Sequence, residues 1–168
     1  MNRLDPVALV RLYVILLGAG LLLDGLLLLI LDASGAQVPL NTADWRHNLL
    51  HVVWGIALLV VGVLSREDRR LWAAWAALIF GTFYVALGVL GLTLDQPFGL
   101  QLGPGENAFH FVVGPLAVVL GAWALRTASL QAAPSRTAAL PAELRSAPVV
   151  RRRARHRPGK ARGRPRRR

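Results

Sequence analysis

The sequence predicts an all-α integral membrane protein, a four-helix bundle made of two repeated transmembrane hairpins, followed by a disordered basic tail. Three observations carry this expectation: four long apolar runs, a polar motif that occurs twice at matching places, and a charge distribution that divides the chain near residue 126. Hydrophobic residues make up 54% of the 168, more than a soluble domain of this size needs for its core. The formal charge of +11 is not spread evenly. Residues 1–126 hold seven Arg against eight Asp or Glu, whereas residues 127–168 hold thirteen Arg or Lys against Glu143 alone. The chain therefore divides into a nearly neutral apolar domain, 1–126, and a basic tail, 127–168. Cys is absent, which excludes disulfides, thiolate metal sites, iron–sulfur clusters and cysteine nucleophiles.

The first apolar segment runs from about residue 7 to 31 and is interrupted only by Arg11 and Asp24. It is longer than the ~7–15 residue core of a signal peptide, so it reads as a span. The second covers 45–64, the third 71–93 and the fourth 107–125. Each is close to the ~20 residues that carry a helix across ~30 Å of hydrocarbon. Helices are expected because they satisfy their own backbone where no water can. Arg3, Arg11, Arg66, Arg69, Arg70 and Arg126 fall at one set of segment ends, and the opposite loops contain only Arg46. By the positive-inside rule both termini and the short SREDRR turn are expected on the cytoplasmic side.

Segment two aligned on segment four at an offset of 59 places Asn48, His51, Gly55 and Gly62 on Asn107, His110, Gly114 and Gly121. Segments one and three align at an offset of 63, matching Gly18 and Gly25 with Gly81 and Gly88. At 100° per residue the four motif positions of segment two lie at about 0°, −60°, −20° and −40°, a single narrow stripe. In lipid, small residues on such a stripe let backbones approach, and polar side chains bond across the contact. The stripe is therefore expected to pack in the middle of the bundle, since on the lipid side each polar group would cost several kcal/mol.

The sequences HNLLH followed by VVWG and ENAFH followed by VVGP, in a four-span layout of two hairpins, resemble the bacterial membrane family called domain of unknown function 4383. The resemblance covers residues from about 7 to 125 and implies a four-helix integral membrane protein, with no established activity, substrate or cofactor. Asp24 breaks the symmetry between the halves, because Leu87 occupies the matching place.

Three chemistries are open to the polar residues. Asp24 and His51 sit about seven and six residues from their segment ends, roughly 9–11 Å deep, so they can meet. With His110 they form a candidate proton or ligand site. Alternatively, His47 and His51 are four apart on one helical face, with Glu106 and His110 in the equivalent places, and these four are candidate ligands for zinc or a similar ion. His51 and His110 are also candidate axial ligands for haem. No cofactor is required by the sequence, and no catalytic motif stands out: there is no G-x-S-x-G elbow, phosphate-binding glycine loop or H-E-x-x-H. The favoured expectation is a structural or interaction role for the stripe, with a metal-, haem- or proton-binding protein as the alternative.

Residues 127–150 are rich in Ala, Pro and Ser and read as a linker. The last eighteen carry eleven basic residues, among them Arg151, Arg152, Arg153, Arg155, Arg162, Arg164, Arg166, Arg167 and Arg168. Such density repels itself and is expected to be disordered. Its partners are anionic lipid headgroups or nucleic acid. Arg162 to Pro165 also resembles an AT-hook, a weaker expectation than nonspecific electrostatics. Beyond the bilayer and these polyanions, a second copy of the chain is the remaining expected partner, in a homo-oligomer.

Overall fold

The computed structural model describes residues 5–36 and 44–132, and within them the fold is built on four long helices. From residue 133 on, the basic tail, with its expected disorder and its arginines, lies outside the described residues. Helix α1 spans Pro6–Ala33, α2 Trp45–Leu64, α3 Trp72–Thr93 and α4 Pro104–Ala132. Each is long and apolar enough to cross a membrane. Their outward faces are dominated by exposed aliphatic residues, such as Leu16, Leu23, Ile30, Ile79 and Val119. In water such faces would be a liability, but against lipid tails they are already solvated.

Local chemistry sets the helix ends. Asp5 caps α1 by accepting from the Val7 N–H at 3.0 Å, with Pro6 in the first turn, where the missing proline N–H costs nothing. Asp44 caps α2 by accepting from the Arg46 N–H at 3.0 Å, and its other oxygen accepts from the Gln101 N–H at 2.8 Å. One carboxylate thus starts α2 and anchors the loop that precedes α4. At the opposite end, Arg11 Nε donates to the Gly62 carbonyl oxygen at 2.9 Å, placing a cation on the last turn of α2 where carbonyls lack partners.

The fourth helix is longer than its apolar run. Composition places a linker from Thr127, but α4 continues to Ala132. The segment TASLQA contains neither Gly nor Pro. Its hydroxyls bond back along the helix, Thr127 Oγ1 to the Trp123 carbonyl at 2.9 Å and Ser129 Oγ to that of Arg126 at 2.7 Å. Ala and Ser look like linker composition but are compatible with a continuing turn when no breaker intervenes. Pro115 lies inside α4 without ending it.

Packing is closest within each hairpin, α1 on α2 and α3 on α4, and sparser between hairpins. The reason is glycine. A Cβ built on Gly18 would lie 2.8 Å from the Leu59 nitrogen and 3.0 Å from the Gly55 oxygen. One on Gly81 would lie 2.6 Å from the Gly114 oxygen. These are backbone-to-backbone approaches that no side chain could accommodate, so both pairs of helices cross at their glycines. Between the hairpins, Val10, Val14, Phe80 and Tyr84 fill the core. The Tyr13 hydroxyl reaches the Val113 carbonyl oxygen at 3.3 Å, tying α1 to α4.

Candidate metal centre

Three histidines meet between the two hairpins. His47 and His51 lie one turn apart on α2, and His110 comes from α4. At 1.5 Å per residue, His51 and His110 each lie ~9 Å in from the start of their helices. All three are buried, His110 completely. The ring centroids of His47 and His51 are 4.6 Å apart, and those of His47 and His110 are 5.5 Å apart. One ring nitrogen from each of the three can be chosen so that all lie within 4.8 Å of one another.

Asp24 orients one of these rings. Its Oδ2 lies 2.8 Å from His51 Nδ1. A carboxylate can only accept, so Nδ1 carries the proton, and in the neutral ring the lone pair then resides on Nε2. That leaves His51 Nε2 buried and without a hydrogen-bond partner among the described residues. His47 Nε2 and both nitrogens of His110 are in the same condition, as are the Tyr84 hydroxyl and Asn48 Nδ2. A buried polar atom left unpaired costs ~1–3 kcal/mol. Their concentration at one place is what makes the cluster chemically unusual.

The walls are aromatic. The Tyr84 ring stands edge-on to His110 at 4.9 Å and stacks near His51 at 6.3 Å. Phe109 approaches His51 at 5.7 Å. Neither Tyr84 nor Phe109 stands out in the sequence, although Tyr84 is the one phenol in the apolar run of α3.

The expected site residues divide into two groups. Asp24, His51 and His110, grouped as a proton or ligand site, do come together: Asp24 bonds His51, and His51 shares the cluster with His110. Of the four expected metal ligands, His47, His51 and His110 converge, while Glu106, though buried in the first turn of α4, is not among the clustered atoms. The Asn/His/Gly stripe is buried throughout, but its parts face different neighbours. A Cβ on Gly55 would strike Leu22 of α1, one on Gly62 Ile15 of α1, one on Gly114 Val85 of α3, and one on Gly121 Ala74 of α3. Asn107 Nδ2 donates to the Gly91 carbonyl of α3 at 3.3 Å. The small residues therefore close each hairpin, and the imidazoles of the same two helices turn toward the space between hairpins.

No protein-family model, curated protein or solved structure matches the chain. The resemblance noted in the sequence rests on its two motif copies alone.

Proposed function

We propose that this chain is a multi-pass protein of the bacterial inner membrane that holds a divalent transition-metal ion on His47, His51 and His110. The observation that supports it is the convergence of three buried imidazoles from two helices, with nitrogens within 4.8 Å of one another and, among the described residues, no hydrogen bonds on His47 Nε2, His51 Nε2 or either nitrogen of His110. Imidazole nitrogen suits zinc, copper, nickel and iron. Zinc–nitrogen bonds of ~2.0–2.1 Å put tetrahedral ligands ~3.3 Å apart, so closing on an ion asks each ring for a displacement of about 1 Å or less. Asp24 supports the reading independently. A carboxylate on the far nitrogen of a ligating imidazole fixes its tautomer and raises its basicity, the outer-shell arrangement common to histidine metal sites. A bare ion fits better than haem, because the rings of Tyr84, Phe109 and His47 pack at 4.6–6.3 Å where a macrocycle would need a slot.

Three protein ligands leave a fourth position open, which zinc fills with water or a substrate atom in reactive sites. The Tyr84 hydroxyl, on a ring beside His51 and His110, is a buried polar group with capacity to bond a molecule there. The arginine distribution supports a topology with both termini and the turn between α2 and α3 in the cytoplasm, in which the histidines occupy the outer half of the bundle. The tail is assigned to polyanions on the cytoplasmic side, headgroups foremost.

The packing role of the stripe is a second reading, favoured by the glycine contacts, and it accounts for Gly55, Gly62, Gly114 and Gly121 without accounting for the histidines. Metal analysis distinguishes the two. The full chain, purified in mild detergent, stripped with chelator and titrated with zinc, is expected to bind one ion per chain. Cobalt should give the intense visible bands of a tetrahedral nitrogen site. A protein that binds neither ion at micromolar concentrations would leave only the packing role.

A further inference from the structure

At the Asp44 end of the bundle, on the lipid-facing side of α2, lies a groove of about 390 Å³ separate from the histidines' own walls. Arg46, Leu49, Leu50 and Val53 of α2 form one side, Phe83 of α3 the other, and Phe98 and Leu100 of the following loop close the top. We propose that this groove holds one acyl chain of an anionic phospholipid whose phosphate is bound by Arg46.

The lining assigns the chain. Every groove residue except Arg46 is hydrocarbon, and the volume falls in the ~300–1,000 Å³ range of small-ligand sites. From Arg46 to Val53 the α2 wall runs seven residues, ~10 Å at 1.5 Å per residue, so it begins at the level of headgroups and descends into hydrocarbon. Trp45, half exposed beside it, marks that interfacial level. Phe98 is 80% exposed and holds a φ of 57°, a left-handed conformation that a bulky residue adopts only when its surroundings impose it. The turn Pro97–Gly99 thereby keeps an aromatic ring over the mouth of the groove.

Charge complementarity assigns the head. Arg46 is the one basic residue in the sequence at this end, where Asp32, Asp44, Asp95 and Glu106 are the acidic ones. Asp44, two residues away, has both oxygens engaged by the Arg46 and Gln101 N–H groups rather than by the guanidinium. The guanidinium instead reaches the neutral Gly99 carbonyl at 3.4 Å and lies 5.5 Å over the Trp45 ring. A planar fork beside an apolar channel at the interface is suited to a phosphodiester.

The test uses the full chain in lipid nanodiscs that contain phosphatidylglycerol or phosphatidylcholine with the same photoreactive acyl chain, followed by peptide mapping of the crosslinks. Mapping separates lipid in the groove from lipid bound by the basic tail. Labelling of the Leu49–Val53 and Phe83 peptides should favour phosphatidylglycerol by about five-fold, the ratio expected for one basic residue near an anionic surface. Arg46→Gln should abolish that preference while keeping the phosphatidylcholine signal. Val53→Trp, which fills the groove, should lower both signals. Equal labelling by the two lipids in the unaltered protein, a preference that survives Arg46→Gln, or crosslinks that avoid these peptides would each overturn the proposal.

Discussion

Asp24 of α1 and His51 of α2 meet across the first hairpin, Oδ2 to Nδ1 at 2.8 Å, with the imidazole buried and the carboxylate half exposed. The pair has no counterpart in the second hairpin, where Leu87 takes the place of Asp24. The Asp24 carboxylate thereby sets the tautomer of His51.

Replacing the carboxylate by the residue from the matching position gives the first prediction. Asp24→Leu should weaken zinc binding by ~10–100-fold, the usual cost of removing an outer-shell partner. Asp24→Asn keeps an acceptor oxygen in place and should lose less. Isothermal titration of the stripped protein in detergent measures both, and unchanged affinity in Asp24→Leu would detach Asp24 from the site.

The ligand set yields a second prediction. His47→Ala and His110→Ala should each abolish stoichiometric zinc binding and the tetrahedral cobalt spectrum, whereas Glu106→Gln should retain both, because Glu106 lies outside the cluster. Should Glu106→Gln lose the ion as His110→Ala does, the four-ligand arrangement suggested by the sequence would be the correct one.

Helix packing supplies a third. A Cβ at Gly81 meets the Gly114 carbonyl oxygen at 2.6 Å, while one at Gly20 meets nothing within 4 Å. Gly81→Ala should lower stability by ~1–3 kcal/mol through overpacking. Gly20→Ala should leave it unchanged or raise it by up to ~1 kcal/mol through helix propensity. Thermal unfolding of the two variants in the same detergent compares them directly, and a Gly81→Ala protein as stable as Gly20→Ala would contradict the backbone contact.

Tyr84 gives a fourth. Its hydroxyl is buried and has no partner among the described residues, so Tyr84→Phe should stabilise the metal-free protein by ~1–3 kcal/mol, the cost of an unmet polar group. With zinc bound, a metal-held water can accept from that hydroxyl, and the advantage of Phe should shrink. Unfolding of both forms with and without zinc shows whether the effect depends on the ion.

How far the sequence discloses this structure differs from residue to residue. The spans are legible because hydrocarbon thickness sets their length, and α2 runs from Trp45 to Leu64 as the apolar run does. The Asp24 to His51 contact is legible by counting residues from the helix ends, since depth is a one-dimensional quantity. The end of α4 is not, because Ala and Ser serve helix and linker equally until neighbouring hydroxyls find carbonyls. Nor is the choice of His47 over Glu106. The alignment of the two hairpins makes these residues equivalent, but which of them meets the other histidines depends on how the hairpins are placed side by side. Helical periodicity within one segment carries no record of that placement. For the same reason the stripe reads as one surface, although its glycines and its histidines answer to different neighbours.

The division of labour between glycine and histidine has a mechanical consequence. Each hairpin is clasped by direct backbone contact, while the space between hairpins is spanned by side chains and the short connection around Glu67–Arg69. An ion gripped by His47 and His51 from one side and by His110 from the other would act as a hinge pin. Loading it would stiffen the joint between two preformed halves, and losing it would let them rock without unwinding a single turn of helix.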